Sequence, residues 1–471
     1  MGDVHFFSLG NSTSTYHRRP YFFLFLIFLV GLIFRSFGFY LGKFYEADVY
    51  IYMAQVEHCI QTNCPNLFKI HYASNAYFLE KPFFILAPYF ATKIIPSPFS
   101  TYFLSFLCYL FSFILVYLIL DKQFPTKIIL LTLLAFAIYP IFIDKSQINN
   151  WRGETYFFPI LLLLAYFLLK RRLFLFFAFS ILAYFTWNGA IVLLPIVLLT
   201  FFFDYLFYKS SKKISLLIYL FLFPLFAVAL ISIPNPFLDF LKGISQLQIS
   251  ETRSIRMQDL FYYFFPLFIF IPFSFFFIVK NFEKFIEFEA NRWYISFIFA
   301  SFLVFTDLTI FQIRWISLLK APLLLLLPFS LYQLFGNKKI SMFWILILIS
   351  SLFFLSIPYI KPEFFEALSL IKENSKVLNE DWSWGGYIEY YHSFPYTDSG
   401  PLQNTTKIRL VHKFFNSPIC NFSIINFEPD YIFIVGSNFS YPNNSCFNKL
   451  IENKTEFHIL FKKGNVVLFG K

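Results

Sequence analysis

The stretch Phe44–Tyr45–Glu46–Ala47–Asp48–Val49–Tyr50 places two carboxylates two positions apart, directly after a long apolar run. Acidic side chains that close to a bilayer are costly unless a cation or a polar partner holds them. A hard divalent cation is one such partner, because it takes oxygen ligands and binds clustered carboxylates. The competing description is a solvated loop that caps the helix. Three further stretches have the same mixed character. One is Lys145–Ser146–Gln147–Ile148–Asn149–Asn150–Trp151–Arg152–Gly153–Glu154, ending in a carboxylate at the lip of the next apolar run. Another is Gln248–Ile249–Ser250–Glu251, followed by Arg253 and Arg256; the last is Asp381–Trp382–Ser383–Trp384–Gly385–Gly386–Tyr387. Singly, each has a plain account: a helix cap at Glu154, a solvated loop at Glu251, a buried aromatic turn at the tryptophans.

Together they fit one chemistry. Glu46, Asp48 and Glu154 would converge on a divalent metal that neutralises charge on a departing phosphate. Arg253, Arg256 and Arg314 would grip phosphate oxygens through bidentate contacts. Arg314 lies within or beside an apolar span, where an unpaired cation is costly, so its readings are a lipid phosphate partner or snorkelling to the interface. Trp382, Trp384 and Tyr387 offer flat aromatic faces to an acceptor peptide or a sugar.

The elements that must position these residues are membrane helices. Of 471 residues, 58% are hydrophobic, 75 are phenylalanine and only 14% are charged, against about 25% charge in a soluble globular protein. The net charge of +11 is scattered as small basic clusters between apolar runs, a pattern of topology signals and not of a nucleic-acid face. With about 20 apolar residues to a span, helices are predicted near 21–40, 99–120, 127–144, 155–169, 173–187, 189–207, 214–232, 260–279, 294–312, 315–334 and 340–358. That makes about 11 transmembrane helices. Residues 83–98, broken by Pro88, Pro96 and Pro98, are either an interfacial helix or a twelfth span. The run from Tyr21 to Tyr40 is too long for a cleavable signal and has no small-residue cleavage site.

Arg18 and Arg19 put the N-terminus in the cytoplasm. Lys122 and Lys127, Lys170 to Arg172, Lys209 to Lys213, Lys280 to Arg292, and Lys338 with Lys339 then fall on the same side. The active-site loops and the segment after Tyr359 are therefore expected on the exterior or lumenal face. The chain divides into a multi-pass part, 1–359, and an exterior soluble α/β domain, 360–471, in which Tyr431–Val435 and Val466–Phe469 read as strands. That domain carries five Asn-x-Ser/Thr sequons, at Asn404, Asn421, Asn438, Asn443 and Asn453, which agrees with an exterior location. Cys59 with Cys64 and Cys420 with Cys446 are disulfides if both pairs face an oxidising exterior; the alternative is four free thiols.

The order of these motifs resembles the catalytic subunit of oligosaccharyltransferase, a membrane glycosyltransferase of the GT-C type. Glu46–Ala47–Asp48 is similar to that family's Glu-x-Asp element after the first helix, and residues 145–154 are similar to its Arg-Ser…Asp-x-Glu element, keeping Ser146 and Glu154. Trp187–Asn188–Gly189 resembles its Trp-Gly-Gly turn, Gln248–Glu251 its Ser-Val-Ser-Glu element, and Arg314 with Ala321–Pro322 its Val-Arg…Ala-Pro helix. Trp382–Ser383–Trp384–Gly385–Gly386–Tyr387 takes the place of the WWDYG motif, with Asp398 as the acidic residue downstream. Two positions depart from the pattern: Arg152 stands where the family has an aspartate, and the aspartate of WWDYG is missing.

The resemblance implies a polytopic α-helical GT-C fold with a C-terminal α/β domain. It implies Mn2+ or Mg2+ on Asp48 and Glu154, with Asp48 and Glu251 (Glu46 close by) holding the acceptor amide nitrogen. Arg314 would contact the phosphate of the lipid carrier, and Trp382 and Trp384 would line the pocket for the hydroxyl residue after the acceptor asparagine. The partners implied are a lipid-linked oligosaccharide donor and a protein or peptide acceptor, with inversion at the sugar. The departures leave open a polyprenyl-phosphate donor with a lipid, glycan or Ser/Thr acceptor. A non-enzymatic transporter or scaffold is the third reading; the chain shows no internal repeat or paired mid-membrane charges of the kind transporters use.

Overall fold

A computed structural model of the chain describes residues 19–36, 47–62, 70–71, 77–78, 82–121, 123–143, 146, 148, 151, 153–184, 192–207, 267–306, 312–335, 362–380, 384–390, 393–397, 405–435, 442–452 and 455–471. They fall into two compact units that interleave along the sequence. One takes its residues from Met1–Gly42, Pro98–Asn235 and Gln248–Ile357; the other takes them from Lys43–Ser97, Pro236–Leu247 and Pro358–Lys471.

The first unit is helical. It holds α1 (Arg19–Ser36), and the second unit supplies α2 (Ala47–Thr62) and α3 (Pro82–Thr92) before the chain returns with α4 (Phe99–Leu120). There follow α5 (Thr126–Ile138), α6 (Pro140–Ile143), α7 (Gly153–Leu169), α8 (Leu173–Tyr184), α9 (Leu193–Phe207), α10 (Leu267–Lys280), α11 (Phe282–Glu287), α12 (Glu289–Thr306) and α13 (Gln312–Phe335). Nine of the predicted spans coincide with helices here, and those at 214–232 and 340–358 lie outside the described residues. By length and apolarity α4 alone among the described helices passes a strict test for a span, the others being shorter or less uniformly apolar. On α4, Phe99, Phe103, Leu107, Phe111, Ile114 and Leu118 recur at helical spacing and are all exposed. Ser105, Tyr109, Ser112 and Val116 on its other side are buried. An outward apolar stripe over an inward face with polar groups is the inverse of a soluble helix and suits contact with lipid. The composition and this arrangement describe a multi-pass membrane protein.

The predicted span 127–144 is interrupted. Pro140 has no N–H to continue α5 and drives the residue before it out of the helical region; Tyr139 is extended at φ −74°, ψ 132°. The chain restarts as the single turn α6. At the other end of α7 the chain reverses within Lys170–Arg171–Arg172: Arg171 takes φ 54° and the Arg172 N–H reaches back to the Phe167 carbonyl at 2.8 Å. Where α9 meets α12, Arg292 Nε donates to Asp204 Oδ1 at 3.0 Å and Trp293 Nε1 to Oδ2 at 3.3 Å, with both charges buried. The arginine that reads as a cytoplasmic topology signal is thus also a partner inside the bundle.

The second unit is α/β. Its hairpin β1 (Ile70–His71) and β2 (Tyr77–Phe78) follows α2. The C-terminal part runs α14 (Pro362–Leu368), β3 (Lys376–Asn379), α15 (Gly385–Tyr390), β4 (Phe394–Pro395), α16 (Thr405–Asn416), a 3-10 turn at Phe422–Ile424, β5 (Tyr431–Val435), α17 (Cys446–Ile451), β6 (His458–Lys463) and β7 (Val466–Gly470). The sheet order is β4-β3-β5-β7-β6, with β3 parallel to β4 and β5, and β7 antiparallel to β5 and β6. Strand residues alternate between faces, and the two faces carry different cargo. Ile432, Ile434, Val467 and Phe469 pack with Val411, Phe414 and Phe415 of α16 and Leu450 of α17. Phe433 instead meets Trp384 edge-on at 6.3 Å. Cys420 and Cys446 form a disulfide on the α16–α17 side. Cys59 is also disulfide-bonded, and Cys64 lies outside the described residues. The stretch 83–98 is resolved as α3, 11 residues starting at Pro82. At 1.5 Å per residue it is roughly half the length of a span.

Candidate functional site

Helix α2 begins one residue after Glu46 and carries Asp48 in its first turn. The Asp48 side chain and the whole of Glu46 lie outside what is described. The sequence reading takes this stretch as a loop, although Val49, Met53 and Val56 recur at i, i+4, i+7 and are all fully buried; that period is the signal that marks the helix. The face buried by α2 packs on α15, the helix formed by Gly385–Gly386–Tyr387 and its continuation. Tyr50, two residues past Asp48, lies edge-on to Tyr387 at 4.5 Å and to Tyr390 at 5.6 Å. Both glycines are buried. Two motifs more than three hundred residues apart in sequence therefore share one wall.

In that wall Trp384 is stacked on Phe364 at 4.4 Å, and Tyr387 packs against Tyr50 and, at 5.3 Å, Phe365. Trp384 and Tyr387 are both buried. The flat faces expected to meet an acceptor are in this structure covered by neighbouring rings, because α14 closes over α15's start. Trp382 itself, Ser383, Asp381 and Asp398 lie outside the described residues.

The helical unit holds the second group. Glu154 is the second residue of α7 and is 3% exposed. One turn along the same face Phe158 lies under the ammonium of Lys320 from α13, 5.2 Å from the ring centre. Lys320 is 1% exposed, in a run of leucines. A buried acid and a buried amine thus flank Phe158. Buried charges in an apolar bundle are costly and cluster where function demands them. Lys320 escapes the sequence reading, and the signal for it is a lone cation amid Leu318–Leu319 and Leu323–Leu327. Ahead of Glu154, Trp151 is buried and stacked on Tyr156 at 5.4 Å, and Ser146 accepts a hydrogen bond from Arg35 Nε at 3.0 Å. Arg314 lies in the first turn of α13, with its side chain outside what is described. Lys145, Arg152, Trp187–Asn188–Gly189, Glu251, Arg253 and Arg256 also lie outside. Among the described residues no three His, Cys, Asp or Glu side chains gather into a metal site, and Glu154 is the single acid of the predicted set whose side chain is placed.

With that geometry in hand, the fold can be compared with known ones. An archaeal oligosaccharyltransferase, AglB from Archaeoglobus fulgidus in complex with an inhibitory peptide and a dolichol-phosphate, superposes with a TM-score of 0.62 at 15% identity, over 89% of this chain and 70% of that one. ArnT from Cupriavidus metallidurans, bound to undecaprenyl phosphate, superposes with a TM-score of 0.58 at 12% identity, over 96% of this chain and 97% of that one. The fold is GT-C. The same archaeal enzyme in complex with Zn and sulfate superposes with a TM-score of 0.57. No protein-family model matches the sequence, and no curated protein matches it either. At these identities the GT-C likeness is one of fold: a helical bundle joined to a C-terminal α/β domain, the architecture that the motif order implied.

Proposed function

We propose that this chain is a membrane glycosyltransferase that moves a saccharide from a polyprenyl phosphate-linked donor to the asparagine of acceptor proteins, inverting at the sugar and using Mn2+ or Mg2+. The observation that carries it is the packing of α2, which bears Asp48, on α15, the helix of the Trp-Ser-Trp-Gly-Gly-Tyr motif, within a GT-C fold. In this reading Asp48 and Glu154 hold the metal, which would lower the charge on the departing phosphate. Asp48 and Glu251, with Glu46 beside them, accept hydrogen bonds from the acceptor amide. Arg314, Arg253 and Arg256 bind the donor phosphate, and Trp382, in the motif of Trp384 and Tyr387, meets the acceptor. The Lys and Arg clusters favour an exterior or lumenal site and a cytoplasmic N-terminus. The neighbours' ligands support the donor and acceptor classes: AglB was captured with a dolichol-phosphate and a peptide, and ArnT with undecaprenyl phosphate. The complex of the archaeal oligosaccharyltransferase with Zn and sulfate supports a divalent ion.

Two observations favour a second acceptor class: a lipid, a glycan or a Ser/Thr hydroxyl. The WWDYG aspartate is missing, and the chain matches ArnT end to end while leaving part of AglB without a counterpart. The test is a transfer assay in membranes, with a lipid extract as donor and a fluorescent Asn-x-Thr peptide, with and without Mn2+. Under the first reading the asparagine gains a metal-dependent mass, and Asp48→Ala and Glu154→Ala each lower the rate by at least about a hundredfold while the protein still inserts. Full activity in both variants would sink the site assignment. No peptide product from intact protein, with transfer to a lipid or hydroxyl acceptor, would establish the second reading.

A further inference from the structure

Arg35, at the end of α1, is completely buried. All five of its N–H groups donate: Nε to Ser146 Oγ at 3.0 Å, Nη1 to the carbonyls of Gly31 at 3.1 Å and Ala137 at 3.0 Å, and Nη2 to those of Phe136 at 2.9 Å and Phe142 at 3.0 Å. Its guanidinium lies 4.1 Å above the Tyr109 ring and 5.0 Å from that of Phe136. Among the described residues no carboxylate pairs with it. Carbonyls take that place, and their identity explains why they are free to do so. In an unbroken helix the Phe136 carbonyl would accept from the N–H of residue 140, which is a proline and has none. Ala137 is likewise in the last turn of α5, and Phe142 is in the isolated turn α6, so the cation rests at two negative helix ends.

The same residue also holds the next stretch of chain. Its carbonyl accepts from the Ile148 N–H at 3.0 Å, while its side chain holds Ser146, whose hydroxyl in turn donates back to the Phe142 carbonyl. One arginine therefore mends the break at Pro140 and tethers, at two points, the segment that delivers Glu154 to the start of α7. A salt bridge or an apolar side chain could fill the space, but neither would join three separate pieces of backbone.

We infer that Arg35 is a positioning residue for Glu154: it holds Ser146 and Ile148, shortly before α7, so that the carboxylate at the start of that helix is presented at one place. This rests on the reading of Glu154 as a working carboxylate. The test uses the full-length protein in nanodiscs, as wild type, Arg35→Lys and Ser146→Ala, with amide hydrogen exchange and transfer kinetics measured on the same preparations. Lysine keeps the charge and loses the fork. The expected result is faster exchange confined to residues 140–154, with kcat down by about a hundredfold in Arg35→Lys and acceptor KM unchanged. Ser146→Ala, which removes one of the five bonds, should shift both in the same direction by less. A role in general stability would instead raise exchange throughout α4 and α5 and leave kcat per folded molecule intact, which overturns the inference. Unchanged exchange at 146–154 in both variants overturns it as well. If wild-type protein transfers to no acceptor, the functional reading fails, and the exchange pattern still decides whether Arg35 holds the segment.

Discussion

Among the described residues, three buried cations lie against three different kinds of neighbour. Arg35 is surrounded by carbonyls, Arg292 faces a carboxylate, and Lys320 lies over an aromatic ring. Of these, the sequence makes only Arg292 conspicuous, and then as a topology mark, because partners 88 to 162 positions away leave no local pattern. Glu154 is legible because it interrupts the boundary between a polar loop and an apolar run. The α/β domain adds a titrating case. His412 on α16 is half-buried, and burial holds its imidazole below the ordinary value of 6.5. The unfolded chain then binds the proton more readily, so the stability contributed by the neutral ring is present above pH 6.5 and is lost as pH falls towards the folded value. Thermal stability of the α/β domain, followed in the intact chain by exchange of the α16 amides, should weaken between neutral pH and pH 5. His412→Gln should flatten that slope, and a slope of equal size in the variant would assign it to other groups.

At the scale of elements, α1 comes close to its neighbours at Gly31. A Cβ added there would overlap the Tyr109 hydroxyl and come within 3.0 Å of the Ala137 Cβ. Tyr109 cannot swing away cheaply, since its hydroxyl donates to the Phe28 carbonyl at 3.2 Å and its ring carries the Arg35 guanidinium. Gly31→Ala should therefore cost about 1–3 kcal/mol by overpacking, read as a lowered thermal midpoint in detergent. A midpoint equal to wild type would mean that α1 shifts freely against α4 and α5. Element existence was largely readable from the chain: unbroken apolar runs gave the helices, and the β-branched and aromatic runs gave β5 and β7. Two elements were read differently, for identifiable reasons. The run 127–144 is uniformly apolar, and only the missing N–H of Pro140 divides it. In α2, polar residues such as Gln55, Glu57 and His58 stand among the buried positions in sequence and mask the i, i+4, i+7 spacing.

For the molecule as a whole, the acidic motif after α1 and the aromatic motif after β3 belong to one unit, whereas Glu154 and the helix of Arg314 belong to the other. The motifs could be listed in order from the chain, but this grouping depends on Tyr50 meeting Tyr387, a contact that no linear pattern records. The helical unit has its own long-range fastening in Asp204 and Arg292, which joins α9 to α12. Removing one partner of a buried pair strands the other, so Arg292→Ala should cost about 3–5 kcal/mol, whereas replacing both by leucine and methionine should recover most of it. Equal stability of the single and double variants, measured by thermal unfolding, would refute that coupling. The pair also imposes an order on biogenesis. Asp204 leaves the ribosome 88 residues before Arg292, which at ordinary elongation rates is roughly 4–18 seconds. Until α12 follows, the contacts of Arg292 and Trp293 with Asp204 cannot form, so the joint between α9 and α12 is among the later ones to be made.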